Sequence, residues 1–333
     1  MFIRRILSVI ICCFTLSSVA FGQELYPSQP QAQKDCETGE FTAIQAGGNF
    51  QITLKEGPCA VILNADEALI PYIMVSVQDS TVFIEMDENA IPRDVKKIYR
   101  GRNAPVPILR ASVSLPFING LTATQNAVFS SNDSTLVADS IEMSVTDKAR
   151  LQDLKLEANF VKLRMARNAM ADVHLDAATQ LELSLDGSSM LNLEYKTRNL
   201  LMHQMGNSMS ALDGETSTAT FDIGGNANCS SRHKGNVLVV EAGGNSDINL
   251  TGEMGDMTLK ATRMAKLNSL KMNTMRVIAN INGWNRVYVN AQEFLSVNLS
   301  GGSALYYTGV PAIQVGKIVR STFAPYEEEP EEK

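Results

Sequence analysis

Met205-Gly206-Asn207-Ser208, Gly224-Gly225-Asn226-Ala227 and Gly243-Gly244-Asn245-Ser246 stand 19 residues apart in this chain. Each places residues that tolerate positive φ immediately before a small residue. Working outward, a small residue recurs at Ala127, Ala149, Ala169, Ser189, Ser208, Ala227, Ser246, Ala265 and Ser303. The steps are 22, 20, 20, 19, 19, 19, 19 and 38 residues, the last being two periods with Trp284 at its midpoint. Six places earlier comes an apolar ladder of Leu121, Met143, Leu163, Leu183, Met202, Phe221, Val240, Leu259, Ile278 and Val297. Two places after the small residue runs another, through Phe129, Leu151, Leu191, Cys229, Ile248, Leu267 and Leu305. Apolar positions two apart share one face of a strand. Each repeat therefore reads as a strong strand, a tight turn and a second strand.

A period of 19 residues is shorter than a propeller blade or a helical repeat, and the leucine-rich pattern with its helix is missing. The expected fold is all-β: a right-handed parallel β-helix of about ten coils, its hand taken from the usual crossover preference. The alternation also suits a transmembrane barrel. That fold wants aromatic girdles, whereas aromatics are 6% of the chain and its end is PYEEEPEEK.

The rest of the chain is divided by composition. Arg4 and Arg5, the apolar run Ile6–Ala20 and the small residues of Ala20-Phe21-Gly22 read as a signal peptide over 1–22. The run is too short to span a bilayer, and no later segment is long and apolar enough. Export to the periplasm, the cell surface or the medium is expected. Residues 23–40 read as a linker and 41–115 as an N-terminal β cap or subdomain. The β-helix is expected over 116–319 and an acidic, disordered tail over 320–333. The basic run Arg93–Arg102 reads as a solvated loop. Three cysteines remain after the signal, Cys36, Cys59 and Cys229. Cys36 and Cys59 flank the first strand region, where a disulfide and free thiols are both open readings.

The 333 residues carry a net charge of −7, with 44% hydrophobic residues, enough for a sizeable core. An acidic chain without a clustered basic face is not expected to bind nucleic acid. Because glycosidic hydrolysis needs two positioned carboxylates, Asp172 with Asp176, and Asp147 with Asp186 around Arg167, are the candidates by coil stacking. Ordinary surface charges are the preferred reading. His174, His203 and His233 sit at different places in their coils, lack metal-ligand spacing, and read as surface or edge residues. Cys229 lies on an inward ladder and reads as core. The Gly-Gly-Asn turns lack the periodic aspartate of calcium-binding nonapeptides. No phosphate loop, dinucleotide fingerprint or serine elbow is present, so neither cofactor nor metal is expected. Asp79-Ser80-Thr81, Asp133-Ser134-Thr135 and Asp139-Ser140-Ile141 have the form of O-glycosylation tripeptides.

Asn168, Asn207, Asn226, Asn245 and Asn282 recur on the turn face, close to the only tryptophan, Trp284. A ladder of amides that stabilises stacking is the preferred reading. An amide stripe beside an aromatic also suits a sugar, and Asn207, Asn226, Asn245, Asn282 and Trp284 are the candidate ligand-binding face.

Three stretches carry a family resemblance: Phe41-Thr-Ala-Ile-Gln-Ala-Gly-Gly-Asn-Phe-Gln-Ile-Thr-Leu54, Val113-Ser-Leu-Pro116, and Leu295-Ser-Val-Asn-Leu-Ser-Gly-Gly-Ser-Ala-Leu-Tyr-Tyr-Thr-Gly-Val-Pro311. Over roughly 41–319 the chain resembles the auto-transporter adhesin, head GIN domain family, common in Bacteroidetes. The resemblance implies a secreted or envelope β-helical protein and supplies no catalytic residues. The expected function is a non-catalytic binding or structural surface of the cell envelope, an adhesin, whose partner is a glycan or an envelope or extracellular protein. The alternatives are a polysaccharide lyase or hydrolase and a periplasmic scaffold.

Overall fold

Residues 29–102, 104–132 and 134–327 are described by the computed structural model. The signal segment 1–22, Asp133 and residues 328–333 lie outside them. The chain is a β-solenoid of about 11 turns, with 68% of residues in strands. At a spacing of ~4.8 Å per coil the rod is about 50 Å long.

The repeats fold as the apolar alternation dictates. Strands β12 (Arg150–Met165), β13 (Met170–Leu185), β14 (Met190–Gln204), β15 (Met209–Ile223), β16 (Asn228–Ala242), β17 (Asp247–Arg263), β18 (Lys266–Gly283) and β19 (Arg286–Ser300) each wrap almost one coil. Each pairs in parallel with the next, Leu163 over Leu183 over Met202 over Phe221 over Val240 over Leu259. Both ladders named above are buried throughout, with one exception. Ile278 points outward and Ala279 takes its inward place, because the coil from Ala265 is one residue longer than the 19-residue period. The missing small residue of the period is accordingly Asn285 and not Trp284.

Before these coils come β8 (Gly120–Ala123), β9 (Val128–Ser130), β10 (Thr135–Val137) and β11 (Ser140–Val145). Beneath them lies a further coil made by β2 (Ala43–Ala46) and β3 (Gln51–Glu56), which pair in parallel with β8 and β9. Its turn is Gly47-Gly48-Asn49, built like the later ones, so parallel stacking starts at Ala43 and the coil number rises from the expected ten to about 11.

The segment between that coil and the next folds back under it. β6 (Thr81–Met86) and β7 (Leu109–Leu115) continue the parallel stack below β2 and β3. β4 (Ala60–Asp66) and β5 (Ile73–Gln78) then run antiparallel on β7 and β6, and β1 (Gln31–Cys36) runs antiparallel on β4. Leu69, Ile73 and Ile91 are buried beneath this end and roof the core. Arg93–Ile98, within the expected loop, is a short exposed helix, α1. Cys36 and Cys59 are both free thiols, and Cys59 Sγ donates to the Phe41 carbonyl at 3.3 Å.

At the far end β20 (Ala304–Thr308) and β21 (Ala312–Val319) stack on β19, and β22 (Thr322–Pro325) stacks on β20. β22 falls inside the stretch expected as tail. Its Phe323 stacks on Tyr307 with centroids 5.1 Å apart, and that contact holds the strand on the rod. No helix among the described residues is long and apolar enough to cross a membrane.

Candidate functional site

One turn is repeated up the whole rod, and its geometry builds the candidate face. Its first residue has positive φ in each coil from the first to the last of these turns: Gly48, Gln125, Asp147, Arg167, Gly187, Gly206, Gly225, Gly244, Arg263, Gly283 and Gly301. Glycine is required in the middle of this column for a second reason. A Cβ on Gly206 would stand 2.6 Å from the Gly187 carbonyl oxygen, and one on Gly225 would stand 2.7 Å from that of Gly206. The next residue in each turn points out, and its N–H donates to the coil below: Asn207 to Gly187 at 2.7 Å, Asn226 to Gly206 at 2.8 Å, Asn245 to Gly225 at 2.7 Å. The residue after that turns inward and is alanine or serine, except Phe50 in the first of these turns and Asn285 in the turn of Trp284.

The outward asparagines bond to one another. Asn226 Nδ2 donates to Asn207 Oδ1 at 3.1 Å, and Asn245 Nδ2 to Asn226 Oδ1 at 3.2 Å. The same link joins Asn126 to Asn49 at 3.0 Å in the first coils. Above Asn245 the column continues as Met264 and Trp284, whose N–H groups donate to Gly244 and Arg263. Trp284 is 76% exposed and lies against the next coil, its Cε3 being 3.2 Å from where a Cβ of Gly302 would be. A side chain at position 302 would crowd the indole, and the φ of +90° there favours glycine.

Asn282 is not in this column. It pairs with Thr262 and Ser300, two places earlier in its turn. Asn285, not singled out by the sequence, is buried and accepts the Ala265 N–H at 2.9 Å while donating to the Asn282 carbonyl at 2.8 Å. It fills the slot that serine or alanine fills from Ala127 to Ser303 and that Phe50 fills in the first turn. The ridge therefore consists of Asn207, Asn226, Asn245, Met264 and Trp284, with Asn282 set to one side.

Three of the four candidate carboxylates are engaged elsewhere. Asp147 is paired to Arg167, which holds its carboxyl below the usual range. Asp186 accepts the N–H of its neighbour Gly187 at 2.7 Å, so no carboxylate–arginine–carboxylate column forms. Asp172 accepts from Asn192 at 2.8 Å. Asp176 lines an open trough of about 620 Å³ on another face, together with His174, Glu194, Asp213 and Arg232. His174 Nδ1 lies 3.0 Å from Glu194, and Arg232 forks onto Asp213. His203 lies on the surface against Asp222 at 2.9 Å. Among the described residues no three His, Cys, Asp or Glu side chains are placed to hold a metal.

His233 corrects the surface reading. It is 1% exposed, inside the core. Its Nδ1 lies 2.6 Å from the hydroxyl of Tyr195, two coils away, and 3.2 Å from Ser231 Oγ. Gly214 stands between Tyr195 and His233 in the register, and a Cβ there would be 2.7 Å from Tyr195 Cδ1. The glycine leaves the gap through which the two rings meet. Burial lowers the His233 pKa to about 4, so the imidazole is neutral at pH 7. Cys229 is buried as expected, and desolvation pushes its thiol up to about 11, away from nucleophilic duty.

The family profile described as "Putative auto-transporter adhesin, head GIN domain" matches residues 40–237 and 211–311. The chain belongs to this family. The head GIN chain is also similar to structures described as putative adhesins. One from Bacteroides fragilis is 15% identical over 90% of this chain and 99% of its own, with a TM-score of 0.32. One from Parabacteroides merdae is 14% identical over 91% and 98%, with a TM-score of 0.37. A structure described as a putative lipid binding protein, from Parabacteroides distasonis, is 13% identical over 89% and 97%, with a TM-score of 0.30. No functionally curated protein matches the chain.

Proposed function

We propose that this head GIN protein is an exported, non-catalytic adhesin of the cell envelope, and that its turn ridge contacts a glycan or an extracellular protein. The observation that carries the reading is the exposed column from Asn207 through Asn226 and Asn245 to Met264 and Trp284. Amide groups repeat every ~4.8 Å on a rigid scaffold, and an aromatic platform sits at one end. The ladder uses one donor and one acceptor of Asn226, one acceptor of Asn207 and one donor of Asn245, and an amide has two of each. The remainder faces water and is free to meet hydroxyls. An indole face is the standard partner for the apolar face of a sugar ring, its area and fixed orientation limiting the entropy of ordering. The paired state of Asp147, Asp172 and Asp213 supports binding over catalysis, because a general acid or base must be free to exchange its proton.

Protease shaving of intact cells tests the setting. Loss of the protein from whole cells, with a periplasmic marker retained, is the expected result. Protection until the outer membrane is opened would overturn the adhesin reading and leave a periplasmic scaffold.

A further inference from the structure

The two ends of the rod are built differently. At the N-terminal end Leu69, Ile73 and Ile91 roof the core, and the outermost strand β1 presents Gln31, Gln33, Lys34 and Asp35. At the C-terminal end the core ladder has no such roof among the described residues. Ile313, Val315 and Ile318 of β21 stand over Leu295, Val297 and Leu299, which are fully buried. They continue the same inward ladder, yet every residue of β21 is exposed, and Val315 is 50% exposed. Val310, just before, is 94% exposed. β21 pairs with β19 on one side and β22 with β20 on one side, with no further strand among the described residues. An open apolar rung with an unpaired backbone edge is a template for another strand.

We propose that this end is closed by a second copy of the same chain, joined end to end about a two-fold axis. Symmetry fits the geometry. A two-fold axis normal to the sheets sets β21 antiparallel to its counterpart and β22 antiparallel to its own. Both backbone edges are paired at once, and the two core ladders merge. The polar N-terminal edge offers no matching apolar rung, so a head-to-tail filament is disfavoured. The area suffices. Eight residues of strand at ~3.4 Å each, across two sheets ~10 Å apart with their side chains, give an end face of about 500 Å². Two such faces bury about 1,000 Å², the lower bound for a specific interface. A rod of double length would present two ridges to one polymeric ligand and gain avidity.

Light scattering and sedimentation of the purified chain from Gln23 onward, from about 1 to 100 μM, test the proposal. A mass of two chains is expected, falling to one chain in Ile313→Lys/Val315→Lys, whose exposed sites leave the circular dichroism unchanged. Hydrogen exchange of the unsubstituted protein gives an independent reading, with amides of 312–319 gaining protection as concentration rises. A single-chain mass throughout, a dimer that persists in the double variant, assemblies beyond two chains, or exchange in 312–319 that ignores concentration would each overturn it.

Discussion

Asn226 sits between two other asparagines, Asn207 and Asn245. Its Nδ2 donates to Asn207 one coil below at 3.1 Å, and its Oδ1 accepts from Asn245 one coil above at 3.2 Å. Removing it breaks both links at an exposed site, where a net hydrogen bond is worth about 1 kcal/mol or less because water replaces it. Asn226→Ala is expected to lower the unfolding free energy by roughly 1 kcal/mol, and urea denaturation of the two proteins side by side measures it. No loss would mean that the ladder is maintained for its outer surface alone.

The glycine beneath that asparagine matters more. Gly225 has φ +67°, and an added Cβ would stand 2.7 Å from the Gly206 carbonyl oxygen. Gly225→Ala combines left-handed strain of about 1–2 kcal/mol with a backbone collision. It is expected to cost more than Asn226→Ala, while Gly39→Ala, with nothing within 4 Å of the new Cβ, costs nothing measurable. Thermal melts of the three variants check the order.

His233 makes the fold acid-sensitive. Its pKa falls from 6.5 in the unfolded chain to about 4 in the folded one, through burial. Between those values the unfolded state binds the extra proton, so stability is complete above pH 6.5 and declines as pH falls toward 4. The full contribution is about 3 kcal/mol. His233→Gln is expected to be less stable at pH 7, having lost the contact with Tyr195, and to show a shallower decline over this window. Denaturation at pH 7, 6, 5 and 4 checks it; parallel declines would exclude His233 as the source.

The thiols separate by location. Cys36 and Cys59 are partly buried and Cys229 is sealed in the core. Alkylation of the native reduced protein is expected to label Cys36 and Cys59 over time, with Cys36 slowed by the raised pKa that its desolvation causes. Cys229 is expected to react only after unfolding. Mass spectrometry of the peptides decides, and native labelling of Cys229 would show that the coil around it opens.

The apolar alternation and the recurring small residue made the parallel coils legible, because a solenoid repeats in sequence whatever it repeats in space. Where the coil length changed, the register was lost. The extra residue in the coil after Ala265 moved the inward slot from Trp284 to Asn285 and turned Ile278 outward. The link from Asn49 to Asn126 spans 77 residues, and no period reveals it. His233 was hidden for a different reason. A histidine in a strand reads as polar and exposed, and its burial rests on two positions in other coils, the hydroxyl of Tyr195 and the space left by Gly214. In the candidate face, the asparagine column was visible as spacing, while the place of Asn282 depended on the turn register.

The most direct test of the binding ridge is an array of glycans and matrix proteins, probed with the purified protein and with Trp284→Ala. Trp284 is 76% exposed, so the substitution is expected to leave the melting temperature unchanged. Loss of one aromatic anchor commonly costs 2 kcal/mol or more at an interface, about thirtyfold in affinity. The expected result is a defined set of ligands bound by the native protein and lost, or weakened by at least tenfold, in Trp284→Ala. Equal binding by both proteins would contradict the assignment of the ridge, and the ligand would have to be sought on another face of the rod.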